Sequence, residues 1–436
     1  MLRTHYTNEL KPQTEVTIAG WVQDKRDIGS LMFIILRDFM GTVQITVKKN
    51  DVTPEIFETF SKLHKESTIA VEGNCVETNK APGGVEIIPK SLTVLSSSDP
   101  ILPIDLFTKD IKTSFDKRLD FRSVDLRRHD NLAIFKIQST MLQEIQRYLG
   151  ERKFMQVFTP CLMGVPSEGG SEVFSVLYFK REAFLRQDPQ LHRQLTIVGG
   201  IEKLYDVGPS WRAEVSHTVR HLCEHRTCAA EMAFIKDEYD VMELEQNMVI
   251  NVIEGLQKNC EKELKMFDVK FSVPKKFPVL EFPKIYDILE KRGVKIPFGD
   301  DYGREGEKVL GEYVKEKFRS DFFFVNRFPF AHKPFYVMRY DDDPQWARST
   351  DLIHSSGIEL SSGGQREHRY DKLMEQVNLK SMTPASVSWF TEFFKYGAPP
   401  HGGFAIGIER LTMTLLNLPN IREAVLFPRD PERLTP

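Results

Sequence analysis

The chain has 436 residues, with 59 lysines and arginines against 62 aspartates and glutamates, for a formal net charge of −3 with histidines neutral. Its 41% hydrophobic and 28% charged content excludes a disordered or fibrous chain and predicts two or three globular domains. No segment approaches the ~18 apolar residues of a membrane span. The opening MLRTHYTNEL lacks the apolar stretch of a signal peptide, so a cytoplasmic location with no membrane partner is expected.

Near-neutral charge means that a nucleic-acid partner would need a local basic surface. Five cysteines in so long a chain make no disulfide framework. The spacing of Cys223 and Cys228, with His221 and His225 nearby, fits no common zinc pair.

Residues 1–100 read as short strands with alternating or apolar runs: VTIAGWVQ, LMFIILRDFMG, TVQITVKK, STIAVEGNCVET and GVEIIPKSLTVL. Turn signals separate them at Asp27-Ile28-Gly29, Met40-Gly41 and Pro82-Gly83-Gly84, and Pro54 to His64 has the pattern of an interposed helix. Five strands with a helix before the fourth suit a Greek-key barrel of the OB type. This fold binds single strands by stacking bases on aromatics. Phe33 and Gln44 fall on neighbouring strands, although Phe33 could equally belong to the core.

Ser96 to Phe107 is Ser- and Pro-rich; residues 101–120 read as a linker, and residues 121–436 as a second domain. Apolar residues at helical spacing predict a helix from Asn131 to Lys153, followed by the strand FMQVFTP ending at Pro160. Glu168-Gly169-Gly170-Ser171 has the composition of a mobile loop. Tyr205 to Phe234 reads as a long hairpin. Its loop carries Arg212, Arg220, Arg226, His217, His221 and His225, a density of cations and imidazoles that suits a polyphosphate, because guanidinium groups meet phosphate oxygens in a fork. Between Asp237 and Arg339 the pattern is helical with short apolar runs, without a catalytic constellation, and reads as scaffold. Asp351 and Glu359 precede SSGGQREHRYD, and carboxylates beside a phosphate site suit Mg²⁺. His401 to Arg410, HGGFAIGIER, is glycine-rich and runs into a helical pattern. Glycine allows close backbone approach to a ligand, with Arg410 on the first helical turn.

The Arg212 and Arg410 stretches, with the looser helix–strand unit ending at Pro160, resemble the three ordered signature motifs of class II aminoacyl-tRNA synthetases. The likeness to the archaeal-type aspartyl members covers nearly the whole chain, from GWVQDKRDIG to LFPRDPERLTP. It implies an α+β catalytic domain with an antiparallel sheet flanked by helices, behind an anticodon-binding OB domain. The implied reaction uses ATP and Mg²⁺ to activate aspartate as an adenylate and passes it to tRNA. The helix–strand–Pro unit implies a homodimer, with Pro160 facing a twofold partner.

Residue by residue, the resemblance implies that Arg212 holds the α-phosphate and Arg410 the far end of ATP. Glu214 reads the adenine amino group, His221 meets the phosphates, His225 stacks under adenine, and Leu222 and Gly407 complete the nucleotide site. Glu359 binds Mg²⁺, with Ser362 and Asp351 as further ligands. Asp351 sits one position out of the family register because of an insertion at His354-Ser355-Ser356. Glu168 holds the α-amino group, while Gln190, Arg193, Ser362 and Arg366 surround the amino acid. Phe33, Gln44, Glu86, Gln23 and Pro82 match anticodon contacts.

The pattern breaks at the amino-acid site. Asp188-Pro189-Gln190-Leu191-His192-Arg193-Gln194 stands where the family usually has SPQLYKQ, so an arginine replaces the substrate-pairing lysine. Ala229 replaces the aspartate that usually supports that cation. Arg193 and Arg366 are therefore expected to face the cavity without a fixed carboxylate, which favours an anionic substrate side chain. An asparaginyl enzyme remains the alternative, because Lys80-Ala81-Pro82-Gly83-Gly84 resembles asparaginyl enzymes and aspartyl enzymes with relaxed tRNA(Asp)/tRNA(Asn) choice. A degenerate RNA-binding paralogue and an amino-acid amidating relative are further alternatives. Intact Arg212, Glu214, Glu359 and Arg410 argue against the first, and such amidating paralogues typically lack the barrel.

Overall fold

The computed structural model describes residues 2–81, 83–108, 111–165, 172–215, 218–271 and 275–436. Pro82, Glu168 and His217, each singled out from the sequence, lie outside the described residues. The chain divides into two compact units, Met1–Asp105 and Leu106–Pro436.

In the first unit β1 (Thr14–Asp27), β2 (Leu31–Arg37), β3 (Thr42–Lys48), β4 (Thr68–Glu77) and β5 (Val85–Ser96) close into a barrel of order β1-β2-β3-β5-β4. Successive side chains of a strand point to opposite faces. On β2 this buries Met32, Ile34 and Leu36 in the barrel core and leaves Phe33 half-buried outside it. Phe33 is therefore not a core residue. Between β3 and β4 in the chain, α1 (Pro54–Lys62) starts where the Thr53 side chain accepts the Ile56 N–H and proline occupies the first turn. Its Phe60 joins the core.

The same alternation aligns a polar patch on the outer wall. Phe33 lies opposite Thr46, and Gln44 lies beside Glu86 across the parallel β3–β5 pair. Gln44 Nε2 donates to Thr46 Oγ1 at 3.1 Å and to Glu86 Oε2 at 3.0 Å. Gln23 sits at a bulge of β1 between Val22 and Asp24.

In the second unit, residues 115–120, inside the segment read as linker, form a short helix α2 (Phe115–Asp120) whose Leu119 is buried. α3 (His129–Glu151) leads to β6 (Met155–Gln156). A small sheet follows, built of β7 (Leu162–Met163), β8 (Ser175–Tyr178) and β9 (Arg181–Leu185), and then α4 (Gln190–Val198). β10 (Lys203–Trp211) and β11 (Glu224–Ala233) make the long hairpin. After α5 (Glu238–Asn259) come β12 (Val279–Glu281), α6 (Gly303–Phe318), β13 (Phe322–Asn326), β14 (Ser349–His354), β15 (Ile358–Arg366), β16 (His401–Gly407) and α7 (Ile408–Leu415). The described strands form an eight-stranded sheet of order β12-β13-β14-β15-β16-β11-β10-β6, antiparallel except for the outermost pair at each end.

The apolar stripe of α3, the helix of the unit from which a homodimer is expected, packs inside its own chain. Ile134, Ile137, Met141, Ile145 and Leu149 share a core with Val249, Val252 and Leu256 of α5 and with Phe404 and Ile406 of β16. Helical periodicity reports that a face is buried, not by what. The exposed apolar side chains lie just beyond, at Met155, Phe158 and Leu162. Among the described residues no helix is long and apolar enough to cross a membrane.

Glu245 of α5 is a carboxyl in this core. Burial, with Asp351 nearby, pushes it from its ordinary 4.5 up to about 8. The native state then holds this proton where the unfolded chain has released it, so stability falls as pH rises from about 4.5 to about 8. Glu245→Gln is expected to leave the melting temperature nearly unchanged at pH 4.5 and to stabilise the protein at pH 8 by ~1 kcal/mol or more. Thermal denaturation at the two pH values checks this; an equal shift at both would contradict it.

Candidate active site

A cavity of about 610 Å³ opens in the second unit over the central strands. Of the residues singled out from the sequence, it brings together Gln190, Arg212, Glu214, Arg220, His221, Leu222, His225, Glu359, Ser362, Arg366, Gly407 and Arg410. Arg193, Asp351 and Arg226 do not line it. Strand alternation explains Arg226: His225 and Thr227 face the cavity, whereas the Arg226 guanidinium is turned out to pair with Glu224 at 2.8 Å.

The hairpin positions the first cation. Beyond the end of β10 the Arg212 N–H still donates to the Cys223 carbonyl at 2.9 Å, so the strands stay joined where Arg212 enters the cavity. Arg410, in the first turn of α7, donates through Nη1 to the Glu359 carbonyl at 3.0 Å, and its guanidinium lies 3.7 Å from the Glu359 carboxylate. Burial, then the neighbouring Arg212 and Arg410, pushes the His225 imidazole down to about 3. His225 is thus a neutral ring at physiological pH, which suits stacking rather than charge pairing. Burial, opposed by Glu214 and reinforced by Arg410 and Arg220, also lowers His221, whose Nδ1 lies 2.7 Å from Thr218 Oγ1.

The segment read as scaffold contributes to the same cavity, which corrects that expectation. Arg304 and Glu307 of α6 line it, with His332, Lys333 and Tyr336. Arg220 Nη1 donates to the Gly357 carbonyl at 2.8 Å and lies 3.7 Å from Glu307. Burial and the nearby Glu359 raise Glu307 to about 7. No motif in the sequence marks these residues. The available signal was Gly311 inside an amphipathic helix, where a Cβ would collide with the Ser355 carbonyl. The turn at His354-Ser355-Ser356 thus packs against α6 at Gly311, on the helix whose Arg304 and Glu307 line the cavity.

On β15 a bulge sets the carboxylates. Ser362 pairs with Asp351 and Ser361 with Leu352, but Glu359 pairs with Ile353, so Leu360 is an extra residue. One extra residue exchanges the faces of a strand, and Glu359 comes to line the same cavity as Ser362. Asp351 lies beneath, its carboxylate 3.2 Å from Lys333 Nζ. Burial holds Asp351 above the usual carboxylate range, with Lys333 pulling the other way.

The residues expected to surround the amino acid depart most from expectation. Both arginines have a carboxylate. Arg366 Nε donates to Glu231 Oε1 at 3.0 Å, and its Nη2 to the Gly403 carbonyl at 2.9 Å. Arg193 Nη2 donates to Asp188 Oδ2 at 2.5 Å and to Gln190 Oε1 at 2.9 Å. Gln190 joins the two pairs, accepting from Arg366 Nη2 at 3.2 Å and donating to Glu231 at 3.1 Å. Arg193 is 1% exposed and points into this network rather than the cavity; Asp188 and Arg366 are the members that line it along with Gln190. The expectation of two uncompensated arginines facing a ligand is overturned. Arg193 is one helical turn along α4 from Gln190, so it follows Gln190 inward, and its carboxylate comes from the segment entering the helix rather than from position 229. Gly403 makes the other pair possible: a Cβ there would collide with the Ala230 carbonyl and the Glu231 carboxylate.

Comparison with known proteins fits this geometry. The family described as tRNA synthetases class II (D, K and N) matches residues 114–431, and the OB-fold nucleic acid binding domain matches residues 16–95. The chain is 44% identical to the aspartate--tRNA(Asp) ligase of Pyrococcus horikoshii, with 100% of each chain covered. It is 42% identical to the aspartate--tRNA(Asp/Asn) ligase of Archaeoglobus fulgidus, with 99% of each covered. Among solved structures, asparaginyl-tRNA synthetase of P. horikoshii complexed with asparaginyl-adenylate superposes with a TM-score of 0.93 at 34% identity, covering 100% of both chains. Aspartyl tRNA synthetase of Entamoeba histolytica gives 0.87 at 31%, covering 98% of this chain and 90% of that one. With the family matching most of the chain and its relatives aligned end to end, the chain belongs to the class II tRNA synthetases of the D, K and N group.

Proposed function

We propose that this chain joins L-aspartate to tRNA through an aspartyl-adenylate. The observation that carries this is a cavity lined by Arg212 and Arg410 and also by Arg366 and Gln190, which bond each other, in a chain similar over its full length to aspartate--tRNA ligases. In the first step a carboxylate oxygen of aspartate attacks the α-phosphorus of ATP, the bond to the β-phosphate breaks, and pyrophosphate leaves. In the second, a terminal ribose hydroxyl of tRNA attacks the activated carbonyl and AMP leaves. Neither step needs a protein nucleophile; positioning and charge neutralisation suffice.

Arg212 meets the α-phosphate and the charge that grows on it, and Arg410 the far phosphates, with His221 beside them. Neutral His225 stacks on adenine, Glu214 accepts from its amino group, and Leu222 and Gly407 shape the nucleotide site. Arg366 offers its guanidinium to the substrate side chain, and Glu168 the α-amino contact. A magnesium ion takes one or two protein carboxylates and otherwise waters and phosphate oxygens. Glu359 with the Ser362 hydroxyl fits that need, whereas Asp351 is engaged by Lys333. When bound, the ion neutralises phosphate charge.

For tRNA, Phe33, Gln44 and Glu86, with Gln23 and Pro82, supply the anticodon face of the barrel, and relaxed tRNA(Asp)/tRNA(Asn) choice matches the A. fulgidus relative. The exposed Met155, Phe158, Pro160 and Leu162 supply a face for a second copy. The cytoplasm is the setting. Asparagine as substrate has its own observation: Asp188 lines the cavity, and a carboxylate can accept from a side-chain amide. Similarity to aspartate-specific relatives over the whole chain favours aspartate.

ATP–pyrophosphate exchange with each amino acid tests the proposal. Aspartate should support it; exchange with asparagine alone would overturn it. Arg212→Ala should slow exchange ~10²–10³-fold with unchanged circular dichroism, and near-normal exchange would remove Arg212 from the chemistry. Phe33→Ala should weaken tRNA charging by ~1–3 kcal/mol of lost stacking while sparing exchange. An equal loss in both would show that Phe33 acts on the fold.

A further inference from the structure

We propose that Asp188 is the specificity-determining residue of the amino-acid site, because it neutralises Arg193 and leaves Arg366 as the cation that sorts aspartate from asparagine. The inference rests on the activation of one of these amino acids proposed above, and deepens it.

Arg193 is buried and does not reach the cavity, but its charge lies behind the cavity wall. The Arg193 Nη2–Asp188 Oδ2 distance of 2.5 Å makes Asp188 its ion-pair partner, and Asp188 is itself part of the cavity lining. Asp188 therefore stands between a buried cation and the cavity: it holds Arg193 through Oδ2 and lines the cavity, so its charge lies beside whatever enters, although its Oδ1 is itself buried. Arg366 is built differently. Its Nε and Nη2 are committed to Glu231, Gln190 and the Gly403 carbonyl, and among the described residues Nη1 donates no hydrogen bond. That Nη1 is the donor left for an incoming side-chain oxygen. Glu231 compensates Arg366 from behind, since it does not line the cavity.

A substrate side chain thus meets one guanidinium edge from Arg366 and one carboxylate from Asp188. Aspartate gains at the first and is repelled by the second. Asparagine offers an oxygen to the first and an N–H to the second. Removing the Asp188 charge should uncover Arg193 and shift preference toward the anion. Removing the Arg193 charge should leave Asp188 unopposed and shift preference toward the amide.

The test is ATP–pyrophosphate exchange by the full-length protein, with kcat/KM measured for aspartate and for asparagine. Asp188→Asn should raise the aspartate-to-asparagine ratio by ~10-fold or more, the scale of coupling between close charge pairs. Arg193→Gln should lower it, and the double variant should return it toward the wild-type value. If Asp188→Asn fails to fold by circular dichroism, Arg193→Gln carries the test through its opposite sign. Equal losses for both amino acids with an unchanged ratio would reduce the pair to a structural clasp and overturn the proposal. So would a shift toward asparagine in Asp188→Asn. A wild-type protein that exchanges with neither amino acid would instead refute the activity on which the inference rests.

Discussion

The catalytic unit is arranged around a buried ion pair, Arg366 on β15 with Glu231 on β11, on the two strands that flank β16. Burying two charges is costly, and breaking such a pair by removing one partner leaves an uncompensated charge worth ~3–5 kcal/mol. The sheet meets this cost with geometry. The intervening strand carries Gly403 where any side chain would collide with Glu231, and its carbonyl takes a hydrogen bond from Arg366. Gln190 bridges from α4. A glycine-rich strand between two charged ones is thus a packing requirement of the pair as well as a ligand-approach surface.

Around Arg410 and Glu359 the cavity sets opposite charges close together. Arg220 and Arg410 stand beside Glu307 and Glu359. In this setting burial and carboxylate repulsion hold Glu307 near 7, while burial and adjacent guanidinium groups keep His225 neutral. Such shifts are expected where ionisable groups are crowded away from water.

The barrel was legible because period-two alternation encodes a strand with one face on the core; Phe33 and Gln44 fall by parity on the face turned from that core, although Gln44 and Thr46 of β3 are buried there as well. The cavity residues on the hairpin, β15 and β16 were legible because glycine and arginine carry local constraints that survive as motifs. What could not be read required knowing which distant segments meet. The stripe of α3 has the same spacing whether it packs on α5 or on another chain. Arg304 and Glu307 line the cavity from α6, a helix on which the distant turn before Gly357 docks at Gly311. Asp188 was part of a stretch that departs from the family pattern but carried no assigned role, and Ala229 suggested a missing carboxylate, until the fold put Asp188 against Arg193. Substitutions at coupled sites are compensated in space rather than at the same position.

Mass spectrometry of the amino acid esterified to tRNA measures the central claim most directly. The protein would be given ATP, magnesium, unfractionated archaeal tRNA, and aspartate and asparagine at equal concentration. An aspartyl ester on the terminal ribose is the predicted product. An asparaginyl ester in its place, or no ester from a folded protein, would contradict the account.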